Sequence, residues 1–85
     1  MKSFDYTIKD ELGIHARPAG LLVKEANKFT SKITISKGEK STDAKKIFGI
    51  MGLGVKRGDV VTLSADGDDE DKAIAGLQLF MKDSL

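Results

Sequence analysis

Phe4, Tyr6 and Ile8 alternate with Asp5, Thr7 and Lys9, the two-residue period of a strand with one buried face. Beyond the turn-prone Lys9 to Gly13 segment the period lengthens. Ala19, Leu22, Ala26 and Phe29 recur at steps of three and four, while Lys24, Asn27 and Lys28 fall elsewhere on the wheel, which predicts an amphipathic helix. Ile33 and Ile35 restore the alternation in a second strand, and Lys37-Gly38-Glu39-Lys40 reads as a hairpin turn into a short strand around Ser41-Thr42-Asp43. Between Lys45 and Val55 the apolar residues are interleaved with Gly49, Gly52 and Gly54, so any helix there is short. Val60, Val61, Leu63 and Ala65 form another strand. A last helix starts at the acidic run Asp66 to Asp71, carries the stripe Ala73, Ile74, Leu77, Phe80 and Met81, and ends near Lys82.

The order is thus βαββαβα. Four short strands and two long helices with one apolar face each are satisfied when helices cover one side of an antiparallel sheet, a two-layer α+β fold. Residues 1–85 suffice for one domain and leave no room for a separate catalytic one. Repeats and low-complexity segments are absent from the pattern.

Composition narrows the function classes. A net charge of +1 supplies no strong field for nucleic acid, and the absence of cysteine removes disulfides, thiol nucleophiles and cysteine metal sites. The segment Met1 to Tyr6 lacks the apolar core of a signal peptide, and no apolar run approaches membrane-spanning length. A cytoplasmic protein without membrane insertion is expected.

The chemistry concentrates in Gly13-Ile14-His15-Ala16-Arg17-Pro18-Ala19, which holds the only histidine and the only proline. Proline inside a helix is tolerated only in the first turn, so His15 falls at or beside the N-cap. There the free first-turn amides, the positive end of the helix dipole and the Arg17 guanidinium would all favour an anion on the imidazole. A polar cap or half-buried spacer is the ordinary role for such a histidine. Gly13, which permits a tight turn, and Arg17, which a cap does not need, argue for more than that.

Other motifs are weaker. Gly38-Glu39-Lys40-Ser41-Thr42 lacks the glycine spacing of a phosphate-binding loop, and Gly49, Gly52 and Gly54 do not follow a strand in dinucleotide-binding order, so close packing is their expected role. The acidic run lacks the ligand alternation of a calcium loop, which leaves helix capping as its explanation and no metal site. With one histidine, no thiol and no serine elbow, a self-sufficient hydrolase is disfavoured. A histidine can itself be the nucleophile toward phosphorus, because phosphoryl transfer needs mainly positioning and charge neutralisation. Such a carrier requires no cofactor but must dock with a donor and an acceptor. Ile47, Phe48 and Met51, beside the small Gly20, are candidates for that surface, with Ile50 and Leu53 the more core-like positions.

Taken together, the Gly13–Ala19 motif and Ala44-Lys45-Lys46-Ile47-Phe48-Gly49-Ile50-Met51-Gly52-Leu53-Gly54-Val55 resemble the two signatures of the histidine-containing phosphocarrier family of the phosphoenolpyruvate:sugar phosphotransferase system, at the family's separation. The resemblance covers essentially the whole chain. It implies an open-faced β-sandwich, a four-stranded antiparallel sheet covered on one side by three helices. It further implies that Nδ1 of His15 accepts a phosphoryl group from phospho-enzyme I and passes it to the IIA component of a sugar permease, assisted by Arg17 and the backbone amides of Ala16 and Arg17. Many Gram-positive members carry a regulatory serine immediately before Ile47, where this chain has Lys46, and another common serine is replaced by Gly52. Control by seryl phosphorylation is therefore not expected at Lys46. Lys45 and Lys46 read as a solvated edge or as contacts to an acidic partner. A monomer is expected from the carrier role. Two alternatives share the same residues: a regulatory binding module of the same fold, and a carrier in a nitrogen-type phosphorelay.

Overall fold

A computed structural model describes all of residues 1–85. The elements are β1 (Lys2–Thr7), α1 (Ala16–Ala26), β2 (Lys32–Lys37), β3 (Lys40–Asp43), α2 (Ile47–Gly52), β4 (Val60–Asp66) and α3 (Glu70–Ser84). The sheet runs β1-β4-β2-β3 with every neighbouring pair antiparallel. The register explains the two faces. Phe4 opposes Leu63 and Tyr6 opposes Val61, while Ile35 opposes Leu63 and Ile33 opposes Ala65 from the other side, so the apolar positions share one face. The alternate rows, Ser3–Ser64–Thr34 and Asp5–Thr62–Ser36, make the opposite face polar, and no helix covers it.

Helices fill the apolar side. Ala19, Leu22 and Ala26 of α1, Ile50 of α2, and Ala73, Leu77 and Met81 of α3 are buried with the sheet's isoleucines, valine and leucine in one core. Each fully buried Leu or Ile contributes about 1.5–3 kcal/mol. The five ion pairs all lie at the surface, where such pairs are worth about 0–1 kcal/mol each, so packing rather than charge holds the fold.

Three local details differ from the sequence pattern. Phe29 lies past the end of α1, half-buried in a turn whose amide bonds to the Ala26 carbonyl at 3.2 Å, because α1 closes at Asn27. Of the three glycines expected to allow close packing, only Gly49 does so: a Cβ there would overlap the Thr42 side chain, whereas Gly52 and Gly54 face open space. Lys45 is not a solvated edge. Its Nζ donates to the carbonyls of Phe29 at 2.8 Å and Ser31 at 3.1 Å, leaving only Lys46 exposed.

The acidic run also works differently from a simple cap. Asp69 occupies the N-cap position of α3, yet its carboxylate makes no bond to that helix. It instead accepts the amides of Thr30 and Ser31, each at 2.9 Å, and the Ser31 hydroxyl. With Lys45 holding the adjacent carbonyls, the α1–β2 loop is gripped from both sides. Hydrogen bonding by the Ser31 hydroxyl and the Thr30 amide lowers the Asp69 pKa from 3.8 to about 2. A carboxyl group depressed in the folded state stabilises above its unfolded value and loses that contribution as pH falls through its folded value. Melting temperature is thus expected to fall between pH 4 and pH 2, more steeply in the native sequence than in Asp69→Asn, when both are followed by circular dichroism. Equal acid limbs would contradict this role.

Candidate functional site

His15 is the N-cap residue of α1, with extended backbone at φ −100° and ψ −173°. Pro18 is buried in the first turn, as its missing N–H requires, and the Ala19 amide closes the first helical bond onto the His15 carbonyl at 2.9 Å. The amides of Ala16 and Arg17 precede the first intrahelical bond, and the His15 side chain does not cap them. They therefore face outward at the positive end of the helix dipole, with no acidic residue in that turn to neutralise it.

The loop before His15 is held at several points. The Lys9 and Asp10 amides donate to the Leu85 main-chain oxygen at 2.7 and 3.0 Å, and the Gly13 amide closes a turn onto the Asp10 carbonyl at 3.0 Å. Gly13 has φ +68°, and the Ile14 amide bonds to the Val55 carbonyl at 3.2 Å. The second signature thus ends against the first.

His15, Arg17, Asp10, Pro18, Leu21 and Ser84 line one open pocket. The imidazole is 37% exposed and its Nε2 lies 3.9 Å from an Asp10 carboxylate oxygen, beyond hydrogen-bond reach. Arg17 is exposed and joins no ion pair. An unhindered imidazole, a free guanidinium and two outward amides can receive a dianionic phosphoryl group.

Gly20 and Ile47 meet where α1 crosses α2, with Ile47 Cδ1 3.7 Å from the position a Cβ would take at Gly20. Ile47 itself is half-buried against the core, so it forms the base of the patch rather than its exposed part. Phe48 is 85% and Met51 40% exposed, whereas Ile50 and Leu53 are buried. Lys46, the N-cap residue of α2, is exposed and its side chain has no partner in a hydrogen bond or ion pair.

Sequence reasoning missed Asp10, Leu21 and Ser84, which line the pocket. Leu21 is an exposed large hydrophobic, the apolar residue of α1 that lies off the Ala19, Leu22, Ala26 stripe. That mismatch was a readable signal. Asp10 followed by Gly13 was another, since this spacing favours a turn. Ser84 reaches the pocket only through the packing of α3, which nothing local announces.

Comparison with known proteins agrees with the geometry. The family profile described as "PTS HPr component phosphorylation site" matches residues 2–83. The phosphocarrier protein HPr of Mycoplasma capricolum is 44% identical over 84 residues, covering 99% of this chain and 94% of that protein. Among solved structures, a mycoplasma histidine-containing phosphocarrier protein superposes with a TM-score of 0.94 at 43% identity, covering 98% of this chain and 94% of that one. An HPr from Thermoanaerobacter tengcongensis gives 0.92 at 50% identity, covering 96% and 92%. With the first signature lining the pocket and the second tied to it through the Ile14–Val55 hydrogen bond, the chain belongs to the HPr family, the phosphocarriers of the phosphoenolpyruvate:sugar phosphotransferase system.

Proposed function

We propose that His15 is the residue that carries the phosphoryl group, received from phospho-enzyme I and delivered to IIA components of sugar permeases in the cytoplasm. The observation that supports this most directly is the open imidazole at the α1 N-cap, flanked by the uncapped Ala16 and Arg17 amides and an unpaired Arg17. In the receiving step the imidazole lone pair forms the N–P bond as the donor's bond to phosphorus breaks. Arg17 and the two amides neutralise the three phosphoryl oxygens. Their exposure keeps that neutralisation moderate, which suits a carrier: a group held too tightly would not be passed on. Incubation with enzyme I and phosphoenolpyruvate is expected to add one phosphoryl mass that is labile in acid and stable in alkali. An unchanged mass would refute the assignment.

Phe48 and Met51 supply the apolar contact for both partners, with Gly20 and Ile47 beneath them. Exposed aromatic anchors at a partner surface commonly cost about 2 kcal/mol or more when truncated. Phe48→Ala is expected to weaken enzyme I binding about thirtyfold by calorimetry, with no loss of melting temperature because the ring is solvated. Tight binding retained in the variant would remove Phe48 from the interface.

Lys46 has no hydroxyl to phosphorylate, so this carrier runs without seryl control at that position.

A further inference from the structure

Asp10 is held more firmly than an ordinary loop aspartate. Its amide is bonded to the Leu85 main-chain oxygen, its carbonyl to the Gly13 amide, and its carboxylate Oδ1 accepts the Leu12 amide at 2.9 Å. The same Oδ1 is the oxygen that faces His15 Nε2 across 3.9 Å. Asp10 provides the only carboxylate lining the pocket, is 30% exposed at its side chain, and is not paired with Arg17. A negative charge is therefore fixed on the Nε2 edge of the ring, while the Nδ1 edge is left to the incoming group.

We infer that Asp10 is a positioning residue for phosphoryl transfer: its carboxylate keeps the proton on Nε2 and balances the positive ring formed when Nδ1 is phosphorylated. The inference rests on His15 being the phosphoryl acceptor. A neutral ring protonated on Nε2 attacks through the Nδ1 lone pair. The N–P bond forms, the donor's bond to phosphorus breaks with its electron pair staying on the donor, and the ring, still holding its Nε2 proton, becomes cationic. In the delivering step a nucleophile of the acceptor protein forms the new bond to phosphorus as the N–P bond breaks, its electron pair returns to Nδ1, and the ring departs as neutral imidazole. Were the Nε2 proton lost in between, the leaving group would be an imidazolate, a far poorer one. A carboxylate near Nε2 thus favours transfer in both directions without touching the phosphoryl group. Its negative charge also disfavours attachment of the dianion on the Nε2 edge.

Two variants separate this role from a structural one. Asparagine retains the oxygen that accepts the Leu12 amide and removes the charge, whereas alanine removes both. The phosphorylated native protein and Asp10→Asn would be compared by rapid-quench transfer to a IIA protein, by spontaneous hydrolysis, and by 15N NMR of the His15 ring at neutral pH. Asp10→Asn is expected to transfer about threefold more slowly, the scale of a half-exposed charge pair, and to hold its phosphoryl group longer. Its Nε2 resonance is expected to move toward the unprotonated value. Hydrogen exchange of the Leu12 amide should be unchanged in Asp10→Asn and faster in Asp10→Ala. If Asp10→Asn matches the native protein in rate, lifetime and Nε2 resonance while only Asp10→Ala differs, Asp10 merely builds the turn and the inference is overturned. If the native protein takes up no phosphoryl group, or takes it up elsewhere than on His15, the carrier assignment itself has failed, an outcome that mass mapping distinguishes.

Discussion

His15→Ala is expected to abolish phosphoryl uptake from enzyme I completely while leaving the melting curve in place. The imidazole caps nothing with its side chain, is more than a third exposed, and has a single long-range electrostatic contact to Asp10. Substitutions at such positions change stability by about 0.5 kcal/mol or less. No second imidazole and no thiol can take its place, because the chain has one histidine and no cysteine. Arg17→Ala, by contrast, is expected to leave uptake detectable but slower, on the order of 100-fold, the usual cost of deleting one charge-stabilising donor. Quenched-flow mass measurements on both variants give the comparison. Residual uptake in His15→Ala, or a native rate in Arg17→Ala, would require a different acceptor or a different role for the guanidinium.

Gly13→Ala is expected to damage fold and transfer together. At φ +68° a side chain is already strained by about 1–2 kcal/mol. A Cβ would additionally overlap the Val55 carbonyl and lie 2.7 Å from the Lys56 Cα, both backbone atoms that cannot rotate away. Either the loop shifts or the Val55 segment does, and in both cases the Ile14–Val55 hydrogen bond is lost. A total destabilisation of at least about 2 kcal/mol follows. Because His15 is only two residues on, a displacement of about 1 Å there would slow transfer by on the order of 100-fold even at temperatures where the variant is folded. Denaturant unfolding and transfer rates measured on the same preparation test both parts. A variant as stable and as fast as the native protein would show that the close approach is not needed.

How legible was this molecule in its sequence? Strand alternation fixed which residues of β1, β2 and β4 face the core, since a period of two admits one inward face only. The position of His15 was legible because Pro18 tolerates so few places in a helix. Phe48 and Met51 were separable from Ile50 and Leu53 by helical spacing, and their exposures agree with that reading. What escaped was contact between distant segments. Nothing near Asp69 reveals that its carboxylate reaches Thr30 and Ser31, thirty-eight or more positions away. Lys45 looked like a surface charge for the same reason: its carbonyl partners belong to a loop that only the folded chain brings near. Ser84 joined the pocket by the packing of α3, and local pattern carries no trace of it.

The strand order has a consequence for the birth of the protein. β4 lies between β1 and β2, so the first strand made has no neighbour until residues 60–66 have left the ribosome. The turn that presents His15 depends in addition on Val55 and Leu85, both far downstream of it. Pairings of such long sequence separation form late, after the loop entropy of the intervening chain has been overcome. A nascent chain therefore displays the phosphate-accepting sequence well before it can present it in a working shape, and competence to carry a phosphoryl group arrives only with the completed sheet.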